Sequence, residues 1–313
     1  MRISVVGATG RIGAKLTRTL LSAGHQVRAL SRGGPALDEL VALGAEPFLG
    51  SFDTGVGDLD QFFQDADAAF LMVKTDWNNI EGHYPAVAQR FVNALEKSSV
   101  KLAVNLTAMG SDVKAKTGHF ECFHDLDQTL NELGNMNLVH LRAAWFMENV
   151  SAWTGPIAKY GRIAWFCKPD LKMPWVATDD IAWLAAKELT NPTGRHRVYL
   201  EVGSEDVSMN ELAVIIGKEI GMPVEYRYIE TTRRDVEAEF LARFGTPEKW
   251  QDDTLSADAL NNGVVRFHGE DGDRPKLPTT IEAFIGDFWK PRYLEAARAG
   301  DQRETFPMWT AKD

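Results

Sequence analysis

Cysteine is scarce: 313 residues contain only Cys122 and Cys167. Two thiols in a chain of this size make a structural disulfide an unfavoured reading, and their spacing fits no metal-binding pattern. The expectation is a reducing, cytoplasmic setting with no metal. Long hydrophobic runs are missing as well. No segment carries about 18 uninterrupted apolar residues, and residues 3–6 are too short for a secretory h-region, so neither a membrane span nor a leader is expected. Positive charge is also in deficit. Lysine and arginine number 34 against 44 aspartates and glutamates, a formal net charge of −10, with no basic block. That balance argues against direct nucleic-acid binding. Internal repeats and low-complexity tracts are absent.

What is present is an ordinary globular mixture, 44% hydrophobic and 25% charged, long enough for one large domain with a smaller one attached. The first half alternates strand and helix patterns. "RISVV" reads as a strand, residues 11–23 as a helix with Ile12, Leu16, Leu20 and Leu21 on one face, and "QVRAL" as the next strand. A short helix capped near Asp58 precedes the strand "AAFLMV". A helix from Pro85 to about residue 98 precedes "KLAVNLT", and a helix over 119–133 precedes "LVHLR". This rhythm predicts right-handed βαβ units and a doubly wound parallel sheet buried on both faces. After Arg142 the texture turns aromatic and is broken by Pro156, Gly161, Pro169 and Pro174. Thr178 or Asp179 is expected to cap the helix "TDDIAWLAAKEL", with Trp183 on a core-facing side. Ser208 and Glu211 form a capping box ahead of "NELAVIIGKEIG". "HRVYLEV" and "PVEYRYI" read as strands, and Thr231 or Thr232 opens a further helix. The expected division is 1–150, with 175–205 returning to it, then 151–289 as a smaller domain. The tail 290–313 is polar with scattered aromatics, suited to wrapping the body or a neighbouring subunit, which leaves a homodimer open.

The stretch Gly7-Ala8-Thr9-Gly10-Arg11-Ile12-Gly13 leaves a strand and opens a helix, the context of a dinucleotide fingerprint. Gly7 allows the tight turn, Gly10 lets bare backbone approach a diphosphate, and Gly13 lets the helix lie close on the sheet. The helix N-terminus then offers free N–H groups and partial positive charge. The competing reading is a turn that binds nothing. At the end of the second strand no carboxylate stands ready for a ribose 2′-hydroxyl. Ser31 and Arg32 stand there instead, suited to a 2′-phosphate, which favours NADP(H) over NAD(H); the alternative is a solvated loop charge. Phe52 and Asp53 follow the third strand where an adenine edge would lie, Asp53 either accepting from the adenine amino group or capping its turn. Val73, Lys74 and Thr75 end the fourth strand beneath the expected nicotinamide ribose.

These features resemble the NmrA-like group of atypical short-chain dehydrogenase/reductases. The resemblance is carried by "GATGRIG", "VRALSR", "LTAMGSD", "TGHFECFHDLDQTL" and above all "HLRAAWFMENV", similar to the group's R-P-x-x-F-M-E-N stretch, with Ala143 in place of proline. It extends to about Trp289. It implies a Rossmann domain with a small C-terminal α/β substrate domain. It also implies either an NAD(P)H-dependent quinone, azo-dye or flavonoid-type reductase or a non-catalytic redox sensor acting through a partner protein.

Classical members of the wider superfamily use Tyr-x-x-x-Lys as proton donor. Among Tyr84, Tyr160, Tyr199, Tyr226, Tyr228 and Tyr293, none is followed by lysine four residues later. Hydride transfer remains open because the cofactor supplies the difficult chemistry. His119 is the candidate acid or substrate ligand, His124 a cofactor-side contact, and Thr107 a strand-end hydroxyl for a substrate oxygen; structural roles compete for all three. Trp145, Phe146, Met147, Asn149, Trp165 and Phe166 are candidates for an apolar wall around a flat aromatic substrate, with a purely structural core as the alternative. Asn149 is expected to tie its segment to the sheet. The leading expectation is an NADPH-dependent reductase of a quinone-like, azo or other conjugated acceptor. The second is a dinucleotide-responsive regulator without turnover, and the third an isomerase- or lyase-like relative.

Overall fold

The computed structural model describes residues 1–298 except 54, 56, 78, 192–195, 244–245 and 270–271. The βα rhythm forms as expected. Strands β1 (Arg2–Val5), β2 (Gln26–Ser31), β3 (Glu46–Leu49), β4 (Ala68–Met72), β5 (Leu102–Ala108) and β6 (Asn137–Ala143) alternate with helices α1 (Arg11–Ser22), α2 (Pro35–Ala42), α3 (Leu59–Phe63), α4 (Ile80–Leu95) and α5 (His119–Leu130). Next come β7 (Trp145–Phe146), a 3-10 turn (Met147–Trp153), α6 (Thr154–Tyr160), β8 (Arg162–Trp165), β9 (Met173–Val176), α7 (Thr178–Thr190) and β10 (Arg197–Val202). The chain continues through β11 (Glu205–Val207), α8 (Met209–Ile220), β12 (Glu225–Tyr228), α9 (Arg234–Arg243), α10 (Pro247–Asn261) and β13 (Gly272–Asp273). It ends in α11 (Ile281–Ala283), a π turn (Phe284–Trp289) and α12 (Lys290–Arg298).

The main sheet runs β13-β10-β6-β5-β4-β1-β2-β3, every pair parallel. The order reverses between β1 and β4, the point at which such sheets open a ligand crevice at their carboxyl ends. Both faces are covered. Val104 and Leu106 of β5 join one apolar cluster with Leu16 and Leu20 of α1, while Ala103 joins the other with Val87 and Phe91 of α4. Each fully buried leucine contributes roughly 1.5–3 kcal/mol. A third cluster gathers Trp153, Phe166, Trp175, Phe240, Trp250 and Trp289, around the small sheets β11-β9-β7 and β12-β8.

Several local expectations change. Helix α4 begins at Ile80, not Pro85, because the Asn79 side chain accepts from Gly82 N at 3.2 Å and starts it earlier; Pro85 sits inside it. Helix α7 is capped by neither Thr178 nor Asp179. Thr178 is its first residue, and the buried Glu148 accepts from the Thr178 backbone N–H at 2.9 Å and from its hydroxyl. Trp183 is 48% exposed, its ring near Lys187 Nζ, so it is not core. The capping box at Ser208 and Glu211 forms as read. Helix α10 had no counterpart in the sequence reading. The tail begins as α12, with Tyr293 buried and stacked on Trp289 at 5.0 Å. Phe306 and Trp309 lie outside the described residues.

Candidate functional site

The β1–α1 turn shows what the three glycines do. Gly7 has φ +67°, and a Cβ there would come within 2.6 Å of Met72 Sδ. A Cβ on Gly13 would stand 2.1 Å from the Gly7 carbonyl oxygen, so helix and turn are in backbone contact. Gly10 is exposed and is the helix N-cap, with no side-chain cap and no acidic residue in the first turn. The leading N–H groups of α1 have no intrahelical acceptors, and nothing negative competes for them. A diphosphate fits this cradle: bare backbone, donors and positive potential coincide. Ala8 and Ile12 are buried beneath the turn, and Arg11 is exposed at its mouth.

Adjacent strand ends bring the remaining candidates together. Ser31 is buried, its hydroxyl 3.3 Å from Thr9 Oγ1 and accepting from Gly33 N at 3.2 Å. Arg32 beside it is exposed. The Phe52–Asp53 turn is held by Arg90 Nη1, which donates to both carbonyls at 3.1 and 2.6 Å. The Phe52 ring packs on Phe91 at 6.1 Å and is largely core, so only its edge and backbone can meet a base. Asp53 Oδ1 is buried without a hydrogen-bond partner among the described residues. Val73 is buried and Lys74 exposed, and Thr75 Oγ1 is 2.8 Å from the hydroxyl of buried Tyr84. Burial drives that phenol's pKa upward, with Thr75 pulling weakly the other way.

Thr107, at the end of β5, is 3% exposed, and its hydroxyl also lacks a partner among the described residues. Helix α5 is fixed behind it by a buried polar network. Asp127 Oδ1 accepts from Asn105 Nδ2 and faces His140 Nδ1, both at 3.1 Å, while His140 Nε2 faces Asn131 Oδ1 at 3.1 Å. His124 Nδ1–H donates to the Ser111 carbonyl at 2.9 Å. His119 stands at the first position of α5. Its Nδ1 lies 3.0 Å from Asp252 Oδ2 and 3.0 Å from Ser256 Oγ, both on α10. Trp77, from the loop after β4, meets the imidazole edge-on at 5.9 Å, and Lys249 Nζ stands 4.3 Å over the Trp77 ring.

The expected aromatic wall divides in two. Met147 and Phe166 are fully buried and belong to the core, so a substrate does not reach them. Trp145, Phe146 and Trp165 are half-buried, with Trp145 5.7 Å from Trp165 and 5.9 Å from Trp175. Asn149 is exposed; the tie expected of it is made by Glu148, which joins Thr178 of α7 and lies 3.8 Å from Lys15 Nζ of α1. Trp77, Lys249, Asp252 and Ser256 escaped the sequence reading. The start signal Thr246-Pro247 was available, since Thr246 caps α10 and Pro247 opens it. Burial pushes the thiols of Cys122 and Cys167 up to about 12, so neither is poised as a nucleophile. Among the described residues no group of three or more histidines, cysteines or carboxylates is arranged to hold a metal, and no helix is long and apolar enough to cross a membrane.

The model of the NmrA-like family matches residues 1–285. An NAD(P)H azoreductase of Xenophilus azovorans is 26% identical over 267 residues, which is 83% of this chain and 85% of that protein. An NADPH-dependent quinone oxidoreductase of Escherichia coli, solved with NADPH, superposes with a TM-score of 0.75 at 18% identity, covering 92% of this chain and 99% of the other. NmrA, a negative transcriptional regulator solved with NADP, superposes with a TM-score of 0.71 at 15% identity, covering 94% and 97%.

Proposed function

This chain belongs to the NmrA-like family, and we propose that it is an NADPH-dependent reductase that delivers hydride to a quinone-like, azo or similar conjugated aromatic acceptor. The observation that carries the reading is the convergence of three neighbouring strand ends. The glycine turn after β1, the Val73–Thr75 segment after β4 and the Thr107 hydroxyl at the end of β5, which has no partner among the described residues, share the carboxyl edge of one parallel sheet. The azoreductase relative and the quinone oxidoreductase neighbour support the same chemistry.

Bound at that edge, the nicotinamide supplies the hydride. The chain's own residues do the rest. The first turn of α1 holds the diphosphate, and Ser31 with Arg32 receives the 2′-phosphate. Asp53 Oδ1 accepts from the adenine amino group, and His124 Nε2 faces the ribose side. Thr107 and His119 serve the acceptor's polar atoms, and Trp145, Phe146 and Trp165 offer it the accessible part of an apolar face. Oxidation of NADPH followed at 340 nm against a panel of quinones and azo compounds tests the reading. Turnover with at least one panel member is the expected result, and tight NADPH binding without turnover overturns it. A dinucleotide-responsive regulator is the second reading, supported by the likeness to NmrA; it requires that last outcome.

A further inference from the structure

We propose that Asp252 and Ser256 of α10 are positioning residues that hold His119 as the proton donor of the site, the proton leaving from Nε2. The inference rests on the reductase reading above. The Ser256 hydroxyl donates to the Thr117 carbonyl at 3.2 Å, so its oxygen has only lone pairs to offer Nδ1 of His119. Asp252 Oδ2, 3.0 Å away, likewise only accepts. Nδ1 faces two acceptors and therefore carries a hydrogen in the neutral and the charged ring alike. Nε2 is left as the atom where the proton comes and goes. Aromatic rings also flank the imidazole. Phe120 lies 4.5 Å away, Trp77 5.9 Å and Phe123 6.5 Å, and the side chain retains 25% exposure.

The contact with α10 is built into the backbone. Gly118 has φ +65°, and a Cβ there would come within 2.2 Å of Ser256 Oγ and 2.5 Å of the Asp252 carbonyl oxygen. The ionisable groups around the imidazole are Asp252, neighbouring Asp253, and Lys249, which donates to Asp253 at 2.8 Å and covers Trp77. Asp252 fixes the orientation of the ring through Nδ1, as the carboxylate of a Ser-His-Asp triad does for its imidazole.

The chemistry separates two kinds of acceptor. A quinone takes hydride from the nicotinamide at one atom and a proton from Nε2 at oxygen, giving hydroquinone, NADP+ and neutral His119, which water reprotonates. A cationic triarylmethane dye takes the hydride alone and becomes a neutral leuco compound. Rates for both acceptors are to be measured on NADPH-loaded wild type, Asp252→Asn and Ser256→Ala, with long-range 1H–15N spectra of His119 in the cofactor-free proteins. In Asp252→Asn, kcat/KM for the quinone should fall about 100-fold further than that for the dye, and in Ser256→Ala about tenfold further. The wild-type ring should show the Nδ1–H tautomer. Equal losses on both acceptors, no loss, or an Nε2–H tautomer in wild type overturns the proposal. If wild type binds NADPH and reduces neither acceptor, the reductase reading fails instead, and the tautomer still decides how α10 holds the ring. Should Asp252→Asn not fold, Ser256→Ala carries the kinetic comparison.

Discussion

Separate alanine substitutions at Gly10 and Gly13 divide the work of the turn into binding and folding. A methyl at Gly13 would lie 2.1 Å from the Gly7 carbonyl oxygen. Backbone meets backbone there, so no rotamer can yield, and helix and turn must separate by about 1 Å. Ile12, Leu16, Thr17 and Leu20 of α1 are buried against neighbours that would have to follow. The cost belongs at the upper end of overpacking, about 3 kcal/mol, or a fall in Tm of roughly 5 °C for a chain of 313 residues. At Gly10 the situation reverses. Its φ of −78° and ψ of 174° suit alanine, and the added methyl would meet the Gly7 oxygen at 3.2 Å, a tight contact relieved by a shift of a few tenths of an ångström. Alanine is a poorer N-cap than glycine, so about 1 kcal/mol is expected. On the proposed binding mode that methyl would stand in the diphosphate's path, and the loss of two charge-assisted N–H contacts would weaken NADPH about 100-fold. Gly24 is the control: φ is +82° with nothing within 4 Å, so alanine there strains the backbone and leaves affinity unchanged. Calorimetric titration with NADPH and thermal unfolding together decide. Wild-type affinity in a folded Gly10→Ala protein would show that the turn holds no phosphate.

Glu148→Ala removes the acceptor of the Thr178 backbone N–H and hydroxyl and a neighbour of Lys15 in a site only 5% exposed. A loss of about 3 kcal/mol in urea unfolding is expected, about half of it restored in Glu148→Gln, and a loss below about 1 kcal/mol would refute the cap. Arg32→Ala should weaken NADPH at least tenfold more than NADH; equal weakening in competitive titrations removes Arg32 from the 2′-phosphate. The two thiols set a pH dependence. Folding raises both to about 12, so above an unfolded pKa of about 8.5 the unfolded chain loses protons that the folded chain keeps. Stability is therefore full below about pH 8 and declines toward pH 10, by up to about 1.4 kcal/mol per thiol per pH unit. Cys167→Ala should flatten that slope in urea titrations at pH 8 and 10; an unchanged slope would exclude Cys167 as its source.

What was legible in the sequence was what short-range physics determines. The inner parallel strands announce themselves because burial on both faces makes them largely apolar, and the glycine turn because its three residues answer to one another within seven positions. The box at Ser208 and Glu211 is equally local. Misreadings arose where a distant partner replaced the local one. Helix α7 takes its cap from Glu148, thirty residues upstream, a substitution invisible to any window around Thr178. Trp183 reads as core from its place on a helix face, yet a single exposed tryptophan on a helix violates no rule of burial.

The site follows the same logic further. Five of the nine tryptophans lie between residues 145 and 183 and read as a pocket wall, but the third cluster is built on strands of two to four residues and needs large rings to fill it. Met147 and Phe166 are used in that way, and composition cannot separate them from half-buried Trp145 and Trp165. Helix α10 was missed for a related reason. Its buried face contains Asp252 and Ser256 among Trp250, Ala257, Ala259 and Leu260, and polar residues on that face erase the apolar periodicity that marks a helix. They are buried because they meet His119, 133 and 137 positions away. A carboxylate that interrupts a helix's apolar face breaks a local rule, and such breaks are expected where a chain gives up regularity for chemistry. The irregularity that hid α10 is thus itself the mark of the contact that orients His119.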